Sequence, residues 1–480
     1  MPLKSEKCFY ITTPIFYPNA NLHMGHAYTT VISDIFSRYH KLKGEQTYFL
    51  TGSDENTQKV VEASLKAGKN PKDFLDEIIL NFKNLFSGLN ISYDQFIRTS
   101  DEITHFPGAI KLWQVLVSSG DIYKKKYEGL YCVGHESFMT EKDLVDGMCP
   151  DHKMTPEKIQ EENYFFRLSR YNQTLKEKIE SDELKIVPNS RKNEIMSLLN
   201  EGLEDVSFSR SRKVSSVGIP VPGDSEQIMY VWCDALSNYI SALGYGSEDD
   251  SLFRKFWPAN LHVVGKDILR FHAAIWPAML LSAGLPLPKT ILAHGLITSG
   301  GRKMSKTLGN VIDPIELLNE YGADAVRYYL ARHISPFEDG DLTKEAFLDA
   351  YNASLANGIG NLASRILKMA VSYDAFPDFS QSDDNQLPEE YKRCMEEYQV
   401  NKAADFVWEK IQGLDLFIQK EEPFKVFKSN PEKARKDVSY LVSELWNIAF
   451  LLGPLLPETS EKIKSAIKEK KMTEILFIRK

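Results

Sequence analysis

Short apolar runs bounded by turn residues alternate with segments of helical period through the first 350 residues, and helical period alone governs the rest. Cys8 to Thr13 is a β-rich run that stops at Pro14. From Met24 to Lys43 the residues Tyr28, Val31, Ile32, Ile35, Phe36, Tyr39 and Leu42 share one helical face, and Gly44 supplies a stop. Thr47 to Thr51 predicts a second buried strand. Two strands joined by an amphipathic helix predict a βαβ unit with parallel pairing. The alternation returns after residue 226, with strand-like Leu261 to Val264 and Ile291 to Ile297. Between them runs an apolar helical segment, Ile268 to Leu281, that Pro277 is expected to break.

This pattern divides the chain into a first α/β half (1–117), an insert (118–226), a second α/β half (227–300), a loop-bearing segment (301–350) and a helical region (351–480). In the last, Leu355, Ile359, Leu362 and Ile366 share a face, as do Leu441, Leu445, Ile448 and Leu452. Asp374 to Pro388 reads as a polar linker between helices, and no internal repeat is evident.

Composition narrows the class. Hydrophobic residues make up 43% and charged residues 26% of 480, which is globular rather than disordered or fibrous. No run approaches the ~18 apolar residues of a membrane span, and the N-terminus lacks the apolar core of a signal peptide, so a cytosolic protein is expected. Five cysteines do not make a disulfide framework. The net charge of −8 argues weakly against nucleic acid, but Glu461 to Lys480 carries seven basic and three acidic residues, so a local basic surface is available.

Three motifs carry chemistry. His23-Met24-Gly25-His26 follows a strand and loop and opens a helix, where unpaired amides and the helix dipole favour an anion. Two imidazoles three residues apart can donate to phosphate oxygens, and a glycine there lets a ligand approach the backbone; the same residues could equally cap the helix. Gly300-Gly301-Arg302-Lys303-Met304-Ser305-Lys306-Thr307 predicts a mobile loop whose lysines could neutralise a leaving pyrophosphate, though a solvated basic turn has the same composition. Cys132-Val133-Gly134-His135 and Cys149-Pro150-Asp151-His152 have the paired spacing of a tetrahedral, structural zinc site, or of a degenerate knuckle held by packing. Cys8, Cys233 and Cys394 fit no ligand pattern and are expected as buried thiols.

The first two motifs together resemble the signature of class I aminoacyl-tRNA synthetases. Thr13 to Asn19, Phe49 to Glu55, Asn163 to Leu168, Tyr230 to Ala235, Gly265 to Ile268 and Trp276 to Leu280 resemble the methionyl-tRNA synthetases, in that family's order. The resemblance implies an α/β fold: a Rossmann-type parallel-sheet catalytic domain split by a connective insert with a zinc-knuckle-like motif, then an α-helical anticodon-binding bundle. It implies ATP-dependent attachment of L-methionine to tRNA(Met) through a methionyl-adenylate, with Mg2+ accompanying ATP and a structural Zn2+. His23, His26, Lys303 and Lys306 match the catalytic positions; Gly25, Gly265 and Asp267 match further ATP positions. Asp54 matches the acceptor of the methionine ammonium, and Ile15, Tyr17, Trp232, Ala235, Leu236, Tyr239, Phe271 and His272 match its side-chain pocket. Aromatic walls with one polar group suit a polarizable thioether. Cys132, His135, Cys149 and His152 match the metal ligands, although His135 stands where relatives usually carry Cys. Asn361, Arg365 and Phe424 match anticodon readers, with Phe424 in place of a frequent Trp.

Asn56 departs from the His common in relatives, which leaves any contribution of that position open. Because the chain ends soon after the bundle, a monomer is expected. Another class I synthetase, for cysteine, leucine or valine, shares both signatures, although no large editing insertion is present. A tRNA- or zinc-binding module without catalysis is the other reading, and intact His23, His26, Lys303 and Lys306 argue against it.

Overall fold

The computed structural model describes residues 7–133, 137–139, 141–151, 153–213, 217–304, 310–377 and 386–480. Its centre is a six-stranded sheet of β1 (Cys8–Phe16), β2 (Gln46–Ser53), β3 (Gln95–Arg98), β4 (Lys185–Val187), β5 (Leu261–Gly265) and β6 (Thr290–His294). The order is β3-β2-β1-β5-β6-β4, and every pair is parallel. Helix α1 (Met24–Leu42) follows β1. Because side chains alternate along a strand, each strand feeds two cores. Phe9, Ile11, Val263 and Leu292 enter one hydrophobic cluster, while Tyr10, Val264, Ile291 and Ala293 enter the other.

Three differences from the sequence reading have physical causes. β1 does not stop at Pro14. It runs to Phe16, and its register against β2 shifts between Thr12 and Ile15, so the proline is accommodated at an irregularity rather than ending the strand. The run from Ile291 to Ile297 is two strands, since the chain leaves β6 at His294 and Ile297–Ser299 pairs in a separate small sheet. Close approach forces that departure: a Cβ on Gly295 would lie 2.1 Å from the Glu338 carbonyl oxygen. Finally, the stretch read as an insert is not wholly outside the main sheet. It supplies β4, whose Ile186 pairs with Ile291. Three residues are too few to show a period. The rest of that stretch builds an antiparallel sheet in the order Ser137–Met139, Ile122–Cys132, Glu157–Phe166, Val206–Ser207.

The break expected at Pro277 is a change of winding: a π-turn over Phe271–Ile275 gives way to α-helix at Trp276, with the proline at the junction. Helix α2 (Val231–Leu236) packs in the second cluster, and α3 (Ala323–His333) joins α1 to the C-terminal bundle. The bundle contains α4 (Asn361–Tyr373), α5 (Val400–Glu421), α6 (Pro431–Leu452) and α7 (Pro457–Lys468). Its apolar faces join the same cluster as α1, so sheet and bundle share one core.

A buried charge crosses that junction. Arg327 of α3 is fully buried, pairs with Asp34 of α1 at 2.8 Å, and donates to the carbonyls of Leu89, Pro454 and Leu455 at 3.1, 2.8 and 2.9 Å. Burial alone would raise the Asp34 carboxyl; Arg327 and Arg38 instead hold it below the usual carboxylate value. Removing one partner of such a pair costs about 3–5 kcal/mol. No helix among the described residues is long and apolar enough to cross a membrane.

Candidate active site

A parallel sheet binds ligands outside the carboxyl ends of its strands, where the winding reverses. Here β1 is flanked by β2 on one side and β5 on the other, so the crevice opens above it. A cavity of about 650 Å³ lies there. It is lined by Ile15 and Tyr17 at the end of β1, Asp54 after β2, Gly265 and Asp267 at the end of β5, and His294 closing β6.

The start of α1 forms one wall. His23 is its N-cap: its Nδ1 accepts the Gly25 amide at 3.0 Å, and His26 Nδ1 accepts the His23 amide at 3.1 Å. Both Nδ1 atoms are thereby used as acceptors, so each ring carries its proton on Nε2 and has one N–H left to donate. The rings stack with centroids 3.8 Å apart. Burial lowers the His23 pKa; Asp267 opposes the shift and Lys303 adds to it. His26 lies well below the usual histidine value because of burial, then His23 and His294. At neutral pH these are neutral donors, not cations. The anion site and the helix cap, alternatives in the sequence, are thus one arrangement. Gly25 serves the histidine as well as any ligand: a Cβ there would stand 2.9 Å from His23 Cε1.

Lys303 lines the same cavity from a chain segment 280 residues away. Gly300 and Gly301 form a defined hairpin turn, both with positive φ (62° and 70°), and Thr298 pairs with Lys303 across it. Asp341 anchors the turn through the Thr298 hydroxyl at 2.8 Å and the Gly301 amide at 2.9 Å. Lys306 lies outside the described residues, as do Ser305 and Thr307.

The other end of the cavity is apolar and aromatic. Trp232, Ala235, Leu236 and Tyr239 line it with His272. The Tyr239 hydroxyl donates to His272 Nε2 at 2.7 Å, while His272 Nδ1 donates to the Ile268 carbonyl at 2.9 Å. Burial holds His272 neutral, pushing its pKa down to about 4. Tyr239 is raised by burial and further by the nearby Asp54 charge. Phe271 is not itself on the lining; it stacks on Trp232 with centroids 3.7 Å apart and supports that wall. Asp54 is only 3% exposed.

Sequence reasoning missed His294, whose Nε2 lies 2.7 Å from the Thr29 hydroxyl of α1. Its position as the last residue of a parallel strand was the available signal. The reading also passed over a buried chain behind the cavity, from Asn56 to Asp234 to His105. Cys8 is half-buried rather than buried, while Cys233 and Cys394 are buried as expected.

The remaining candidates lie elsewhere. Cys132 (2% exposed) and Cys149 (0%) share a small cluster with Met139, two thiols sheltered together as a metal site requires. His135 and His152 lie outside the described residues, and among the described residues no group of three or more His, Cys, Asp or Glu could hold a metal. Asn361 is exposed at the start of α4, Arg365 is half-buried with its guanidinium 2.5 Å from Asp415, and Phe424 is 46% exposed. Asn357 does not continue the helical face of Asn361 and Arg365, since Gly358 has non-helical angles (φ −89°, ψ −109°) just ahead of α4.

A family model described as tRNA synthetases class I (M) matches residues 9–158 and 152–367, and one described as the anticodon binding domain of methionyl tRNA ligase matches 381–475. The methionine--tRNA ligase of Clostridium acetobutylicum is 45% identical over 479 residues, covering 97% of this chain and 74% of that protein. That of Thermotoga maritima is 41% identical over 471 residues, covering 95% and 74%. The structure of Mycobacterium tuberculosis methionyl-tRNA synthetase in complex with methionyl-adenylate superposes with a TM-score of 0.89 at 36% identity, over 95% of this chain and 93% of that one.

Proposed function

The chain belongs to the class I methionyl-tRNA synthetases, and we propose that it attaches L-methionine to tRNA(Met) in two steps, with ATP converted to AMP and pyrophosphate. One observation carries this: His23, Gly25, His26 and Lys303 meet on a single cavity whose other end is the Asp54, Trp232, Tyr239 and His272 pocket. In the first step a methionine carboxylate oxygen bonds to the α-phosphorus of magnesium-bound ATP. The bond from that phosphorus to the bridging oxygen breaks, and pyrophosphate leaves with the electron pair. The Nε2–H groups of His23 and His26 donate to phosphate oxygens as charge shifts onto them, Gly265 and Asp267 flank the nucleoside, and Lys303 with Lys306 neutralises the departing pyrophosphate. Asp54 receives the methionine ammonium and the aromatic wall takes the thioether. In the second step the 2′-hydroxyl of the terminal tRNA adenosine attacks the acyl carbon and AMP leaves. No side-chain nucleophile is used; positioning carries the rate.

The division proposed is a catalytic domain in halves 1–117 and 227–300, a connective insert 118–226 that also lends β4 to the catalytic sheet, a loop and stem-contact segment 301–350, and an anticodon domain 351–480 reading bases through Asn361, Arg365 and Phe424. Cys132, His135, Cys149 and His152 would hold one Zn2+, a structural ion that would leave the reaction to the cleft. The protein acts in the cytoplasm as a monomer. The deciding experiment is pyrophosphate exchange across the twenty amino acids: methionine alone should support it, and exchange driven by leucine, valine or cysteine instead would reassign the substrate.

A further inference from the structure

Ser241, His105 and Asp234 make a hydrogen-bonded chain, with His105 Nδ1 2.8 Å from the serine oxygen and Nε2 2.6 Å from Asp234 Oδ1. The order is that of a nucleophile triad, yet all three residues are fully buried and none lines the cavity. Substrate cannot reach them, so their task is mechanical. The chain continues to segments that carry lining residues of the pocket. The second Asp234 oxygen, Oδ2, accepts from Asn56 Nδ2 at 2.8 Å, and the other Nδ2 hydrogen goes to the Thr99 carbonyl at 2.8 Å. The Thr99 hydroxyl in turn accepts the Glu55 amide at 2.7 Å. Asp234 sits inside α2 between Trp232 and Ala235, which line the amino-acid end; Asn56 stands two residues after Asp54, which lines the same cavity. One amide side chain therefore bridges segments 178 residues apart that grip the two ends of a bound amino acid.

We propose that Asn56 is a positioning residue for methionine. Through Asp234 and His105 it holds the carboxylate of Asp54 at a set distance from the Trp232 wall, and that distance selects the side-chain length the site accepts. This rests on the reading of the cavity as a methionine site.

The test is methionine-dependent pyrophosphate exchange on the full chain, with ethionine (one methylene longer) as competitor. Asn56→Ala should raise KM for methionine about tenfold, the effect of one buried hydrogen bond to a charged group. It should leave KM for ATP within about twofold and narrow the preference for methionine over ethionine. Asp234→Asn, which keeps shape and breaks the acceptor pattern, should show the same split and serves if the first variant does not fold. Unchanged methionine KM and selectivity in a folded variant overturns the proposal, as does an equal rise in both KM values, which marks a merely structural role. If the unaltered protein shows no methionine-dependent exchange, the reading of the site fails and this proposal with it; exchange in the unaltered protein with no change in the variants fails the proposal alone.

Discussion

The two ends of the cleft are built on different principles. At the proposed amino-acid end, the lining side chains are braced by their neighbours: Trp232 is stacked on Phe271, Tyr239 is tied to His272, and α2 is tied through Asp234 to His105 and Asn56. At the phosphate end, the imidazoles rest on a helix start, and Lys303 is exposed on a hairpin that turns at two glycines and is held by Asp341. A pocket that must reject near-identical side chains gains from rigid walls, whereas a site that accepts a triphosphate and releases pyrophosphate gains from donors on a separable element.

The comparison breaks most sharply at His26. His26→Ala should lower the rate of methionine-dependent exchange about 10²–10³-fold, the usual effect of removing one aligned donor. Methionine affinity without ATP, by calorimetry, should stay within about twofold; an equal loss in both would mean the two ends do not work separately. Tyr239→Phe probes the opposite end. It leaves His272 Nε2 buried without its donor and should raise KM for methionine about tenfold with kcat little changed. Arg365→Ala lies far from both ends and should weaken aminoacylation several-fold to about tenfold while exchange continues at the normal rate. Loss of exchange as well would make Arg365 a structural residue, through its contact with Asp415.

The smallest effect is on stability. His26, His262 and His272 all have pKa values lowered by burial, His272 to about 4. Below pH ~6.5 the unfolded chain binds protons that the folded one refuses, so the stabilisation present at neutral pH is lost as pH falls from about 6.5 toward 4. Tm should drop by a few degrees between pH 7 and pH 5. His272→Gln, which can still accept from Tyr239 and donate to Ile268, should flatten that slope. A Tm that rises on acidification would mean the imidazoles are charged in the fold.

How much of this could be read from residues alone follows from the range over which each feature is determined. The helix from Met24 and its cap depend on neighbours within four residues, and periodicity locates them well. The cavity residues at strand ends were legible only through the family resemblance; the parallel sheet explains why they gather at its carboxyl edge. Lys185–Val187 was not, since three residues at a sheet edge carry no period and are recruited by Ile291, more than a hundred positions on. The bridge from Asn56 to Asp234 was invisible for the same reason; nothing near either residue encodes it. The glycines at 300 and 301 predicted a mobile loop through Thr307; they instead turn a two-residue hairpin, which depends on Thr298 pairing with Lys303, while Ser305 to Thr307 lie outside the described residues.

Arg327 has a consequence for anyone who would dissect this chain. Two of its four acceptors are main-chain oxygens at Pro454 and Leu455, and the others are Asp34 and Leu89. A fragment cut before Pro454 would keep the guanidinium sealed under the histidine-bearing helix with half its acceptors gone. The catalytic half is therefore not a free-standing piece: part of its foundation is the turn at Pro454 and Leu455.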